Sequence, residues 1–164
     1  MRRGQAALEF LTTYGWAIMV VLVMIGALAY FGVLNPRILI PSRCFTSPDL
    51  SCVDYQLAAP AGGTATVSVI LGQGAGRTVY YDSVACEHRG QSFPGSATLR
   101  SSGQPLVQGG AWSPREQVII TCAVPTLEGT AGLKERVGVS VVYQRSVGGF
   151  IHEAIADVTG EVVG

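Results

Sequence analysis

Residues 10–34 carry no charge, and no other feature limits this chain so strongly. A helix over these 25 residues would be about 37 Å long at ~1.5 Å per residue, enough to cross a ~30 Å hydrocarbon core. Aromatic side chains bracket the run: Phe10, Tyr14 and Trp16 at one end, Tyr30 and Phe31 at the other. Such belts mark membrane–water interfaces, and Arg2 and Arg3 place the N-terminus in the cytoplasm with the remainder outside. Asn35-Pro36 ends the helix, because proline disfavours helical backbone in the residue before it. A secretory signal peptide has an apolar region of only ~7–15 residues, so this run is too long for one. A plain anchor fits the length but has no use for Glu9, which stands at the start of the apolar stretch. A carboxylate inside a membrane-length helix costs on the order of a few kcal/mol, and something should offset that cost.

Arg2-Arg3-Gly4 followed by Gln5-Ala6-Ala7-Leu8-Glu9 resembles the class III signal of type IV pilin-like proteins. The stretch Leu11-Thr12-Thr13-Tyr14-Gly15-Trp16-Ala17-Ile18 is similar to archaeal members of that family. The resemblance covers about the first 36 residues. It implies a short basic leader, residues 1–4, cut after Gly4 on the cytoplasmic face, so that Gln5 becomes the first mature residue and Glu9 the fifth. It further implies a membrane and filament-core helix over residues 5–36, a lollipop-shaped pilin, and assembly through Glu9. The implied partners are copies of the same chain, a prepilin peptidase, an assembly ATPase and membrane platform proteins. The product would be an archaeal type IV pilus-like filament, serving adhesion to surfaces or other cells and exposed outside the membrane from which it is built. Gly15, Ala17, Gly26, Ala27, Ala29 and Gly32 would let neighbouring helices approach closely. Two alternatives share the apolar helix: a single-pass membrane-anchored extracellular binding domain that does not polymerise, and an archaellin-type motility subunit.

Past Pro36 the texture changes. Residues 37–52 look loop-like, with Pro41, Pro48 and two cysteines. Beyond them, alternating runs bounded by glycine and proline recur at residues 64–71, 77–85, 117–124, 136–144 and 150–158. The expectation is an α+β chain: the long helix, then residues 37–164 as an all-β, immunoglobulin-like sandwich head of about six to eight antiparallel strands. The glycine-rich segment Gly72-Gln73-Gly74-Ala75-Gly76 is expected to be a hairpin turn. A phosphate loop would need a following helix, and Val79-Tyr80-Tyr81 follows instead.

Cys44, Cys52, Cys86 and Cys122 all lie beyond the membrane run, and an even count outside the cell points to disulfides. Three pairings are possible. Cys44–Cys52 is favoured as a short loop around Pro48, and Cys86–Cys122 as a staple between strands. Zinc is the rival, but neither spacing makes a two-residue ligand knuckle, even with His88 beside Cys86. His152, on one strand face with Phe150, Ala154, Ala156 and Val158, is expected to be semi-buried. Gly95-Ser96-Ala97 lacks the pattern around a serine nucleophile. No set of residues suggests an enzyme, a cofactor or a metal. Past Pro36 the chain carries nine basic and ten acidic residues without a basic run, so nucleic-acid binding has no electrostatic support.

Overall fold

The computed structural model describes residues 3–30 and 41–164. The chain divides between residues 40 and 41 into two units. In the first, helix α1 (Arg3–Tyr30) is 28 residues long. Its sequence is rich in leucine, alanine and methionine, and its β-branched residues sit among strong helix formers. Residues 31–36, the end of the expected helix, and the junction up to residue 40 lie outside the described residues.

The second unit is built of nine strands: β1 (Arg43–Thr46), β2 (Leu50–Ala58), β3 (Thr66–Gln73), β4 (Val79–His88), β5 (Gln91–Leu99), β6 (Ala111–Trp112), β7 (Gln117–Ala123), β8 (Lys134–Gln144) and β9 (Ile151–Val163). A 3-10 turn, Pro125–Leu127, follows β7. The alternation in the sequence becomes the wall of a barrel. Val67, Val69 and Leu71 of β3, Val118 and Ile120 of β7, and Val137, Val139 and Val141 of β8 are buried in the centre. Their neighbours at the intervening positions face outward, as the period of two along a strand requires.

Hydrogen bonding runs β9–β2–β3–β7–β5–β4–β8 and returns to β9, so seven strands close a ring, with β1 added beside β9 and β6 beside β4. This corrects the sandwich expectation. A sandwich keeps two separate sheets, whereas here two strands bridge the halves. The first part of β5 pairs with β4 (His88↔Gln91 to Ala85↔Pro94) and its second part with β7 (Gly95↔Cys122 to Leu99↔Val118). The end of β9 reaches β2 in a short parallel ladder, Leu57↔Val162 and Ala58↔Val163, so the strands are not all antiparallel. Closure leaves fewer free strand edges than two stacked sheets would.

Other boundaries moved for local reasons. The segment read as a loop over residues 37–52 contains β1 and the start of β2 within its described part. Residues 72–76 do not form a hairpin, because β3 and β4 are not paired; the segment carries the chain from one side of the barrel to the other. Gln73 holds this crossing. Its amide donates to the carbonyl of Arg77 at 2.6 Å, and its side-chain oxygen accepts the N–H of Ala75 at 3.0 Å. In β4 the register shifts between Tyr81 and Ser83, and the buried positions change from Val79 and Tyr81 to Val84, Cys86 and His88. One extra residue reverses which face every later side chain takes.

Candidate functional site

Helix α1 holds the most concentrated chemistry to explain. Its segment Thr12–Tyr30 is long and apolar enough, by length and composition, to cross a membrane. Phe10, Trp16, Met19, Leu22, Val23 and Met24 are each more than 60% exposed. A soluble helix buries one stripe and wets the other; this one has no wet side. At Gly15 and Gly26 an added Cβ would meet nothing within 4 Å. Glycine in a helix interior costs roughly 0.5–1 kcal/mol relative to alanine.

Gly4 and Gln5, the residues of the expected leader cut, fall in the first turn of α1. Glu9 lies one turn further along and is exposed. The hydroxyl of Thr12 donates to the Glu9 backbone carbonyl at 3.0 Å and does not engage its carboxylate. Phe10 and Tyr14, one turn apart, have ring centroids 4.7 Å apart on the same helix face.

The head contains two disulfides, Cys44–Cys52 and Cys86–Cys122. The first ties β1 to β2 at the partly exposed rim. The second joins β4 to β7 through the core, where Cys86 and Cys122 are almost wholly buried. Thiols consumed this way are not metal ligands, and among the described residues no three His, Cys, Asp or Glu side chains gather as a metal site.

One polar cluster was not foreseen. His88 is 1% exposed, yet its Nδ1 lies 2.6 Å from the Thr126 hydroxyl and its Nε2 3.4 Å from Glu135. Glu135 also accepts from Arg89 at 2.8 Å. Arg89 adopts a left-handed backbone (φ 51°) beside Gly90 (φ 77°), the two-residue turn between β4 and β5. That turn swings the guanidinium onto Glu135. Hydroxyl, imidazole and carboxylate are groups that a hydrolytic relay uses. Here the imidazole is sealed off, and the set fastens the 3-10 turn and the start of β8 to β4. Its partners stand 38 and 47 positions from His88, so spacing in the sequence carried no signal of it. His152 is half-buried and stacks on Tyr143, with ring centroids 5.7 Å apart.

At one end of the barrel the β2–β3 loop and residues 128–131 enclose an open groove of about 560 Å³. Its walls are small side chains, Ala59, Pro60, Ala61 and Ala131 among them, with Glu128 the only ionisable group. No protein-family model matches this chain, and no curated protein matches it in sequence.

Proposed function

We propose that this chain is a structural subunit of an archaeal type IV pilus-like surface filament, assembled through its N-terminal helix. The observation that carries the reading is α1: membrane-length, apolar along its described length, and bearing a carboxylate on its second turn. Such a helix needs partners outside the chain. Lipid serves before assembly and the helices of other copies serve after it. Gly15 and Gly26, with open space around them, suit close approach of those copies.

In this reading a prepilin peptidase cuts after Gly4 on the cytoplasmic face, and an assembly ATPase with membrane platform proteins extracts the helix into the filament. The barrel head, stapled by its two disulfides, is the extracellular coat. The filament serves attachment to surfaces or to other cells. After the cut, Gln5 bears a free α-amino group that is cationic near neutrality. Glu9 stands at i+4 and shares its helix face. Pairing of that amine with Glu9, within one subunit or between neighbours, offsets the burial of both. Removing one partner of a buried pair strands the other at a cost of ~3–5 kcal/mol.

The test is Glu9→Ala. Leader cleavage and membrane insertion should persist while filament yield falls sharply. Normal filament yield would remove the assembly role, and a surface form that keeps Met1 would remove the pilin reading. Two rivals are separated by the same material. An anchored binding domain gives no sheared filaments, and an archaellin-type subunit gives filaments whose loss stops swimming.

A further inference from the structure

The two ends of the head differ: one projects and the other holds an open groove. Strands β8 and β9 form a hairpin whose paired ends are Lys134↔Glu161 and Gln144↔Ile151. At about 3.4 Å per residue these ends are about 34 Å apart. Beyond Gln144 and Ile151, residues 145–150 make a projecting tip. It carries Val147 and Phe150, which are 78% and 90% exposed, and Ile151 at its base is 66% exposed. Two large apolar side chains on the tip and a third at its base stand in water, where burial would be favourable. Beyond Lys134 and Glu161, at the other end, lies the groove of about 560 Å³ walled by Ala59, Pro60, Ala61 and Ala131. That volume is ample for one or two large side chains.

Charge agrees with shape. Arg145 flanks the tip with its side chain 41% exposed and pairs with Asp49 at 3.6 Å. Glu128 stands in the groove wall, and no salt bridge among the described residues involves it. A tip and a groove on opposite ends of one rigid body cannot meet within one molecule. They can meet between two. Because the surfaces differ, such a contact is heterologous and adds copies in a row instead of closing a pair.

We infer that the occupant of the groove is the β8–β9 tip of a second copy of this chain, with Arg145 of one head facing Glu128 of the next. Heads thereby dock end to end. The inference deepens the filament reading and rests on it for its setting. It adds a contact between heads to the one between helices.

The test uses the full chain on the cell surface. Ser146→Cys lies in the tip and Ala61→Cys in the groove wall, and both spare the apolar side chains and the charges. The double variant, oxidised and run without reductant, should give a ladder of trimers and larger species, while each single variant should not. Adding Phe150→Asp should weaken the ladder at least about tenfold, as removal of a central apolar anchor does. Arg145→Glu should weaken it as well, and adding Glu128→Arg should restore it. Dimers alone would mean a closed pair and would overturn the inference, as would no cross-linking. Electron microscopy of the same cells separates the two proposals. Filaments without cross-links overturn only the end-to-end contact. A ladder without filaments supports the contact and overturns the filament reading. Neither overturns both.

Discussion

Gly95 sits where β5 leaves β4 for β7, directly over the buried disulfide. A Cβ there would lie 2.7 Å from the Cys122 sulfur and 3.0 Å from Val84 Cγ1. The sulfur is bonded to Cys86 and cannot swing away. Gly95→Ala should therefore destabilise the head by about 1–3 kcal/mol, the usual cost of overpacking, read as a lower denaturant midpoint. Tyr143 makes a different kind of test. Its hydroxyl donates to Asp49 at 2.7 Å, and burial first, then that carboxylate, hold its pKa above the usual 10. The unfolded chain releases the proton near pH 10, while the folded chain keeps it. Above that pH the unfolded state binds fewer protons, so stability should fall as pH rises. Tyr143→Phe should cost about 1.5 kcal/mol at neutral pH and flatten the alkaline decline, in denaturant titrations from pH 7 to 11. Tyr81, raised by burial and by Asp82, retains its share of that decline in the variant.

The elements differ in how far the sequence disclosed them. Where a strand alternates without interruption, as in β3, β7 and β8, the period of two located it within about two residues, while β9 was found at its start but runs on to Val163, past the expected end at Val158. Strand β5 escaped because Pro94-Gly95 looks like a break; it is instead the corner at which one strand serves both sides of the barrel. Strands β1 and β2 escaped because prolines and cysteines crowd them, and β6 is only two residues long. The order of strands around the ring was not legible at all. Alternation says which face a residue takes, not which strand lies beside it, so a barrel and a sandwich write the same pattern. For α1, length, apolarity and Glu9 were plain in the sequence. What the structure adds is that a Cβ at Gly15 or Gly26 would meet no described residue within 4 Å. Gly26→Leu should leave the helix content and membrane insertion unchanged, by circular dichroism and membrane fractionation. The same change should cut filament yield if neighbouring helices close on that position.

The whole head is covalently cross-linked at two depths. Cys86–Cys122 spans 36 positions through the core, and Cys44–Cys52 spans 8 at the rim. Loop-closure entropy gives about 3.8 kcal/mol for the longer loop and about 2.5 kcal/mol for the shorter. Replacing both cysteines of the core pair by alanine should therefore lower the midpoint more than the same change at the rim, and non-reducing peptide maps should show each remaining pair intact. The rim bridge does something its energy does not describe. Any pull arriving from the N-terminal side reaches the head at Pro41 and bears first on β1, which is held to β9 by a four-residue ladder running from Arg43 to Thr46. Such a ladder alone could be peeled open one bond at a time. At Cys44, its second residue, tension passes through sulfur to Cys52 and into β2, bypassing residues 45–51. The bridge thus acts as a strain relief, so a tether drawn taut loads the closed wall of the barrel instead of unravelling its first strand.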